Sequence, residues 1–366
     1  MSTALSGPAA DLGQNMRAGV LACFERANQN GGIKGRPMAL TAVDDGYEPV
    51  RTGPQMRQLI ERDHVLAVIG NVGTPTAIAA IPIANEQRTL FYAAFTGAGV
   101  LRRTPPDRYV INYRASYAEE TAAMIDALIT GAGLRPEEIA FFTQRDGYGD
   151  AGFAGGIAAL KRHELANDHD VLHVRYERNT VAVENALADV LMHDPAPRAI
   201  IMVGAYAPCA KFIGLAEQAG LESLFLNVSF VGSAPLAREL VDSSARVIVT
   251  QVVPHPAESE LPIVTDYRED LRAQNPDATP TFGGLEGYLA CRILVTALES
   301  IEGTPDRESI VDALEGLGSF DPGIGEQLRL SASQHQASHR VWPTVMRDGK
   351  FLPFDWAKIS DVVEAQ

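Results

Sequence analysis

The sequence lacks the features of several large classes of protein. It contains no apolar run long enough to span a bilayer, and its start, Met1–Pro8, has neither the basic residues nor the apolar core of a secretory leader. The net charge of −15 disfavours nucleic acids and anionic membrane surfaces as partners. We therefore expect neither a membrane-inserted protein nor a nucleic-acid-binding protein.

Cysteine is scarce. Cys23, Cys209 and Cys291 are the 3 cysteines, they lie far apart, and none has CxxC spacing. An odd number of widely spaced cysteines predicts neither a disulfide framework nor a structural zinc site. We expect three buried free thiols, because an isolated cysteine usually behaves as a small apolar residue.

Histidines are equally uninformative about metal binding. His163, His169 and His173 lie in a charged stretch, and His335 and His339 are four residues apart. Metal ligation would need further partners that the sequence does not reveal. We expect both groups to lie on a solvated surface.

Most catalytic motifs are also missing, since there is no GxSxG elbow, P-loop or HExxH sequence. Residues 147–152 do match GxGxxG after a predicted strand and before a helix, which keeps a dinucleotide-dependent enzyme open as an alternative. A Rossmann fingerprint normally opens the first βα unit, whereas this match lies in mid-chain. A ligand-contacting Tyr148 on a turn explains the motif better, so we expect no enzyme, no cofactor and no metal.

One stretch suggests an anion site. Residues 65–69 are apolar and mostly β-branched, which predicts a strand buried on both faces. Gly70 and Gly73 allow a tight turn, Thr74 is a suitable N-cap, and Pro75 suits the first helical turn. The unpaired amides and partial positive charge at such a helix start favour a carboxylate.

Strand and helix patterns alternate through most of the chain. They run from residue 9 to residue 113, restart at 117 and continue to about 252. This alternation predicts an α/β fold with parallel sheets, and 366 residues exceed one ordinary core, so two domains are expected. Near the end, alternating residues around the turn Asp348-Gly349 predict a β-hairpin.

Several short motifs occur in a recognisable order. They are Leu5–Pro8, Gly31–Gly35, Asp44-Asp45, Ile69–Thr76 and Tyr148-Gly149. In this order and spacing the chain resembles, over nearly its whole length, the type I periplasmic substrate-binding proteins of ABC transporters, in the leucine/isoleucine/valine-binding branch. The resemblance implies two Rossmann-like lobes with parallel sheets, joined by a three-segment hinge and closing on a ligand.

The implied boundaries follow from the predicted crossings. Lobe 1 would comprise residues 1–116 and 254–332, and lobe 2 would comprise residues 117–253 and 333–366. The family begins with a complete strand and a signal peptide before the Ser-Gly-Pro motif. We therefore expect a periplasmic protein whose signal peptide and part of whose first strand are missing from this chain.

The resemblance also implies a set of ligand-binding residues. In lobe 1 a carboxylate would lie against a segment that we call the cradle, made of Asn71, Val72, Gly73, Thr74, Ala94, Phe95 and Thr96. In lobe 2, Tyr117 at the first hinge, Tyr148 and Tyr206 would close over the rest of the ligand, next to Ser229.

Two departures from the family pattern matter. Amino-acid-binding relatives carry an acidic residue that holds the ligand ammonium where this chain has Ser229, and Asp146, Glu119 or Glu120 are possible substitutes. A buried ammonium without a carboxylate partner is costly, which disfavours a plain α-amino acid, and a keto acid, an aromatic acid or an amide suits the site as well or better. In addition, Tyr47 and Gly73 stand where some relatives have a cysteine pair.

These patterns predict a solute-binding protein that captures a small carboxylate-bearing ligand and delivers it to a membrane permease. A ligand-sensing module for a signalling partner is the alternative from another class, because one fold serves both roles. Genes for a permease and an ATPase beside this one would favour transport, and a kinase or cyclase gene would favour sensing.

Overall fold

The structure is a computed structural model that describes residues 1–364 and confirms the α/β fold. The helices are α1 (Ala10–Gln29), α2 (Pro49–Arg57), α3 (Thr74–Glu86), α4 (Tyr117–Asp126), α5 (Gly147–Arg162), α6 (Glu184–Leu191), α7 (Tyr206–Gln218), α8 (Ser233–Glu239), α9 (Pro262–Gln274), α10 (Phe282–Ser300), α11 (Arg307–Glu315) and α12 (Ile359–Glu364). The strands are β1 (Ser2–Thr3), β2 (Val43–Asp44), β3 (Ala67–Ile69), β4 (Leu90–Tyr92), β5 (Val110–Ile111), β6 (Ile139–Gln144), β7 (His173–Tyr176), β8 (Ala199–Val203), β9 (Leu224–Asn227), β10 (Val247–Gln251), β11 (Gly318–Phe320), β12 (Leu328–Leu330), β13 (Trp342–Arg347) and β14 (Lys350–Pro353).

The chain divides into two compact units. The first unit contains Met1–Ala115 and Val253–Arg340, and the second contains Ser116–Val252 and the chain from Val341 onward. The third crossing therefore lies at residue 340, whereas the sequence places it after residue 332. The reason is that residues 333–340 still belong to the first unit, where Asn112 N donates to His335 O at 2.7 Å and Ser338 N donates to Tyr113 O at 2.8 Å.

In the first unit, β3, β4 and β5 form a parallel sheet in that order, and β1 pairs in parallel with β2. Strands β4 and β5 are entirely buried, as expected for parallel strands covered on both faces. Helices α1 and α10 pack against each other. They contribute much of the apolar core, including Val20, Cys23, Phe24, Leu285, Tyr288 and Leu289.

A disulfide between Cys23 and Cys291 joins α1 to α10, with Cα atoms 6.1 Å apart. The prediction of three free thiols is therefore wrong, and only Cys209 is a buried free thiol among the described residues. The two helices approach closely because glycines line their contact, and a Cβ on Gly19 would lie 1.8 Å from the carbonyl oxygen of Gly284. This packing brings together two cysteines that are 268 residues apart in sequence.

The second unit is built on a seven-stranded sheet with the order β14-β13-β10-β9-β8-β6-β7. Strands β6 to β10 run parallel to one another, β13 pairs with β10 in the antiparallel direction, and β13 and β14 form the predicted antiparallel hairpin at one edge. Strands β8, β9 and β10 are buried throughout. Among residues 1–364, no helix combines the length and the apolar character that crossing a bilayer requires.

The histidine prediction is wrong at two positions. His335 is only 5% exposed, its Nδ1 lies 2.9 Å from Val110 O, and its Nε2 lies 3.0 Å from Glu315 Oε1. His173 is half-buried on β7, where its ring stacks on Phe153 with centroids 3.8 Å apart. Both contacts join segments that are distant in sequence, so a local charge pattern does not reveal them.

Candidate functional site

The loop after β3 leads the chain directly into α3. Gly70 and Gly73 have φ angles of 70° and 100°, which glycine adopts without steric penalty. Thr74 is the first residue of α3 and Pro75 the second, so the amides of the first turn lie just beyond the end of the strand. The prediction that Thr74 is the N-cap is wrong by one position, because the backbone turns at Gly73.

The loops that follow β3 and β4 are hydrogen-bonded to each other. Phe95 N donates to Asn71 O at 2.7 Å, and Gly73 N donates to Phe95 O at 3.2 Å. Val72 lies opposite Phe95, so the pairing continues the β3–β4 ladder past the strands. The Gly73 amide is consequently bound to the backbone, and amide donors for an anion have to come from the first turn of α3.

The hydroxyl groups of Thr74 and Thr96 lie side by side in the cradle. Their oxygens are 2.6 Å apart, and both side chains are buried. Thr96 Oγ1 also accepts from Ala98 N at 3.3 Å. Two hydroxyls carry two protons and their mutual bond uses one, so one proton remains to donate to a ligand acceptor at the start of α3.

Other cradle residues hold the loops in place. The Thr76 hydroxyl donates to Val72 O and, at 2.9 Å, to Gly73 O, so its proton supports the backbone. Asn71 Nδ2 lies 3.7 Å from Met56 Sδ, and Asn71 Oδ1 has no hydrogen-bond partner within residues 1–364 although the side chain is fully buried. Ala94, also buried, accepts from Thr96 N at 2.7 Å.

Tyr47 and Gly73 are in direct contact. A Cβ built on Gly73 would lie 2.0 Å from Tyr47 Cε2, so the tyrosine ring occupies the space that any side chain at position 73 would need. Tyr47 is 1% exposed and its backbone has a φ of 62°. The ring thereby packs against the cradle from the side of the 44–48 turn, and the residue at 73 has to be glycine.

A buried ion pair lies behind the cradle and was not assigned to the site from the sequence. The Arg114 guanidinium carbon lies 4.5 Å from the centroid of the Phe95 ring, and Arg114 Nε lies 3.4 Å from Glu286 Oε1. Both charged side chains are nearly fully buried. Because a cation over an aromatic face is attracted to the ring, this arrangement orients Phe95 within the cradle.

In the second unit, aromatic rings cluster around Tyr148. The centroid of Tyr148 lies 5.2 Å from that of Tyr117 and 4.4 Å from that of Phe230, and its hydroxyl donates to Gly204 O at 3.2 Å. All three rings are buried, and Tyr206 at the start of α7 is 8% exposed. Sequence reasoning missed Phe230, although an aromatic residue directly after Ser229 was a usable signal.

Ser229 lies next to the carboxylate of Glu120. Its amide donates to Glu120 Oε2 at 2.7 Å, and its hydroxyl donates to Glu120 Oε1 at 2.9 Å. The Thr250 hydroxyl donates to Glu120 Oε2 at 2.6 Å. The side chains of Glu120, Ser229 and Thr250 are all buried, so the carboxyl group of Glu120 lies directly beside Ser229.

The other two acids considered from the sequence have local structural roles. Asp146 is the N-cap of α5 and accepts from Tyr148 N at 2.9 Å, and burial raises the pKa of its carboxyl group. Glu119 completes a capping box at the start of α4, where its carboxylate accepts from Ser116 N at 2.6 Å. Of the three acids, the structure brings only Glu120 against Ser229.

Two glycines of the GxGxxG match, Gly149 and Gly152, allow close helix packing. A Cβ on Gly149 would lie 1.9 Å from Gln144 O, and one on Gly152 would lie 2.5 Å from Val203 Cγ2. These glycines let α5 lie directly on β6 and β8, which explains them without a bound phosphate. Within the part of the chain that the structure describes, no group of three or more His, Cys, Asp and Glu side chains could hold a metal ion.

Comparison with known proteins agrees with this architecture. The model of the family described as "Periplasmic binding protein" matches residues 1–350. A solved structure of a possible leucine/isoleucine/valine-binding protein from Rhodopirellula baltica is 52% identical, with a TM-score of 0.94 over 97% of this chain and 95% of that one. A substrate-binding periplasmic protein from Ralstonia solanacearum is 28% identical, with a TM-score of 0.88 over 96% of this chain and 98% of that one.

A curated relative points the same way. The leucine-, isoleucine-, valine-, threonine- and alanine-binding protein of Pseudomonas aeruginosa is 22% identical over 322 residues, which are 88% of this chain and 82% of that protein. These relatives are substrate-binding proteins rather than enzymes. With the family model matching nearly the whole length and the α/β architecture described above, the chain belongs to the periplasmic binding protein family.

Proposed function

We propose that this protein is the solute-binding component of an ABC transporter and that it captures a small ligand bearing a carboxylate. The observation that carries the proposal is the pair of buried hydroxyls, Thr74 and Thr96, at the start of α3. The first unit would bind the carboxylate there. The second unit would contact the rest of the ligand through Tyr117, Tyr148, Tyr206 and Ser229.

The physical reason lies in the start of α3. The first turn of a helix has amides without intrahelical partners and carries a partial positive charge, so it favours an anion. In a buried cradle, a hydroxyl donor adds a charge-assisted hydrogen bond, which is stronger than a neutral one. This chemistry suits a carboxylate and disfavours a cationic group at the same place.

Aromatic side chains define the other end of the proposed ligand. The buried rings of Tyr117, Tyr148 and Phe230 pack against one another in the second unit. Burying apolar surface against such rings stabilises a bound ligand by about 25 cal/mol per Å². A ligand with a compact apolar part next to its carboxylate therefore suits these residues.

The disulfide supports a periplasmic location. Cys23 and Cys291 are bonded across α1 and α10. Disulfides persist in oxidising compartments such as the bacterial periplasm and are rare in the reducing cytosol. The location is also typical of the family to which the chain belongs.

Thermal-shift screening of the purified protein tests the proposal. The panel contains amino acids, keto acids, aromatic acids, amides, purines and carboxylate-free amines. A ligand that binds only the folded state raises the melting temperature by mass action. We expect acids to give the shifts and the amines to give none, and isothermal titration then measures affinity. Shifts from amines alone would contradict the proposal.

A permease partner is tested separately. If the genes beside this one encode a permease and an ATPase, the purified transporter in proteoliposomes should hydrolyse ATP faster when the ligand-loaded protein is added. The same protein without ligand is the control. If ATP hydrolysis is equally fast with the ligand-loaded protein, with the ligand-free protein and without the protein, the transport role is contradicted.

A further inference from the structure

We infer that Arg102 is a positioning residue that couples the cradle to two segments of the first unit, residues 112–115 and 335–340. Both segments end where the chain passes from the first unit to the second, and we call them the exit segments. This role rests on the proposed function, because it takes Thr96 to bind the ligand carboxylate. It adds a side chain outside the cradle to the residues on which ligand affinity depends.

The Arg102 guanidinium donates to the 96–98 loop, which carries one of the two cradle hydroxyls. Its Nη1 lies 3.3 Å from Thr96 O and 3.0 Å from Ala98 O. The Ala98 amide in turn donates to Thr96 Oγ1 at 3.3 Å, and that hydroxyl lies beside the hydroxyl of Thr74. Arg102 therefore binds both ends of the short turn that orients the Thr96 hydroxyl.

The same guanidinium also donates to both exit segments. Arg102 Nη2 donates to Arg114 O at 2.9 Å in the first segment, and Arg102 Nε donates to Gln336 Oε1 at 2.7 Å in the second. The exit segments are paired with each other, since Ala337 N donates to Asn112 O at 3.0 Å. One side chain thus holds together the cradle and two segments that are distant from each other in sequence.

The shape of the guanidinium suits this arrangement. A guanidinium is planar and holds five N–H donors in fixed directions, whereas a lysine ammonium is a compact charge on a flexible stem. Arg102 uses all three of its guanidinium nitrogens in these bonds. Because hydrogen bonds from a charged donor are stronger than neutral ones, moving either the 96–98 loop or an exit segment away from Arg102 is costly.

Coupling of this kind acts in both directions. A carboxylate bound at Thr96 restricts the motion of the 96–98 loop, and through Arg102 it restricts the motion of the exit segments. Conversely, exit segments that hold Arg102 in place keep the Thr96 hydroxyl oriented for the ligand, which raises the affinity. Equilibrium coupling between two places in a protein is reciprocal and typically changes affinity by about 5–150-fold.

Substitutions at Arg102 test whether it supports binding. The probe is the acid of the screened panel that binds the wild type most tightly, with L-leucine and 4-methyl-2-oxopentanoate tested first. Arg102→Met removes all the bonds of the guanidinium, and Arg102→Lys keeps the positive charge without the planar fork. Isothermal titration, at a temperature where circular dichroism shows each variant folded, should give an affinity that is lower by about fivefold or more in both variants.

The neighbouring arginine provides a matched control. The side chain of Arg103 is 59% exposed, and its Nη1 lies 3.6 Å from Asp107 Oδ2. Arg103→Met removes one positive charge next to Arg102 without touching the 96–98 loop bonds. Its affinity for the probe should therefore equal that of the wild type.

Hydrogen exchange followed by mass spectrometry separates coupling from a general loss of structure. In the wild type, the probe should slow amide exchange both at the start of α3 and at residues 336–338 of the second exit segment. In Arg102→Met at saturating probe, the slowing at α3 should remain and the slowing at residues 336–338 should be lost. A purely structural role would speed exchange equally with and without probe and would leave the slowing intact.

Each outcome decides the matter. Wild-type affinity in Arg102→Met or Arg102→Lys, an equal loss in Arg103→Met, or probe-induced slowing at residues 336–338 that persists without Arg102 overturns the coupling. If Arg102→Met does not fold, the same two measurements on Arg102→Lys and on Gln336→Leu, which removes the acceptor of Arg102 Nε, decide instead.

Failure of the coupling can be told apart from failure of the proposed function. If acids bind and Thr74→Val weakens them, but the Arg102 variants bind like the wild type, the proposed function stands and the coupling is wrong. If no acid binds to the wild-type protein, both are wrong.

Discussion

The hydroxyl oxygens of Thr74 and Thr96 lie 2.6 Å apart although 22 residues separate them in sequence. Each hydroxyl comes from a loop that follows one of two neighbouring parallel strands, β3 and β4. The two loops are held together by backbone hydrogen bonds between Asn71, Gly73 and Phe95. The pair is therefore positioned by the sheet itself, and either hydroxyl orients the other.

Replacing Thr74 by valine tests the cradle. Valine keeps the shape of the side chain but removes the hydroxyl, so both the bond to Thr96 and the donor for a ligand are lost. We expect the affinity for the carboxylate ligand to fall by about 1–3 kcal/mol, measured by isothermal titration. Thr265→Val, on α9 of the same unit, is the control and should leave affinity unchanged. Equal affinities in all three proteins would place the site elsewhere.

Replacing Gly73 by alanine tests the contact with Tyr47. The added Cβ would lie 2.0 Å from Tyr47 Cε2, and the backbone has a φ of 100°. We expect a loss of about 1–3 kcal/mol from overpacking, in addition to the cost of a left-handed conformation, measured by urea unfolding.

Gly31→Ala is the matched control for this substitution. Gly31 has a φ of 97°, and a Cβ there would meet nothing within 4 Å, so only the conformational cost applies. The difference in unfolding free energy between the two variants therefore isolates the clash with the ring. If both variants lose the same stability, Tyr47 moves aside without cost.

Breaking the disulfide should destabilise the protein. The bond closes a loop of 268 residues, and removing a native disulfide typically costs roughly 2–5 kcal/mol. We expect dithiothreitol to lower the melting temperature of the wild type but not that of the Cys23→Ala/Cys291→Ala double variant. Cys209→Ala should respond to the reductant like the wild type. A double variant as stable as the oxidised wild type would contradict the prediction.

His173 should make stability depend on pH. Burial, followed by the nearby Arg175 and Arg145 charges, lowers the pKa of its imidazole to about 4 from 6.5, with Asp150 acting in the opposite direction. Between these values the unfolded chain binds more protons than the folded one, so stability falls as pH falls from about 6.5 to about 4.

Urea midpoints at pH 7.5 and pH 5 measure this effect. The loss of stability on acidification should be smaller in His173→Gln than in the wild type, because the variant has no imidazole to protonate at that position. His169→Gln, at an exposed position in the same region, is the control and should behave like the wild type. A wild-type-like loss in His173→Gln would assign the acid sensitivity to other groups.

Local sequence patterns predict the α/β architecture because strands and helices depend on neighbouring residues. The strand before Gly70 and the hairpin around Gly349 are examples, but the prediction of a fully buried strand over residues 65–69 is wrong, because β3 covers only Ala67–Ile69 and Leu66 is 47% exposed. Patterns of this kind do not reveal contacts between distant segments. The Cys23–Cys291 bond depends on a close approach of α1 and α10, and the burial of His335 depends on its pairing with β5.

Part of the candidate site could be predicted from the sequence, because some of its features lie within a single loop. The sequence identifies the turn at Gly73 and the hydroxyl of Thr74, which are features of one loop. It does not show that the Gly73 amide donates to Phe95 O or that the Arg114 guanidinium lies over the Phe95 ring. Glu120 was one of three candidate acids, and only the packing of α4 against the segment at Ser229 separates it from Asp146 and Glu119.

The bond between Cys23 and Cys291 also has a consequence for biogenesis. Residues 116–252, which belong to the second unit, lie inside the covalent ring that this bond closes. During synthesis the disulfide can form only after Cys291 has been made, and therefore only after the whole of residues 116–252 has been synthesised. Once it has closed, a single protease cut anywhere between the two cysteines leaves the fragments joined, and they separate on a gel only after reduction.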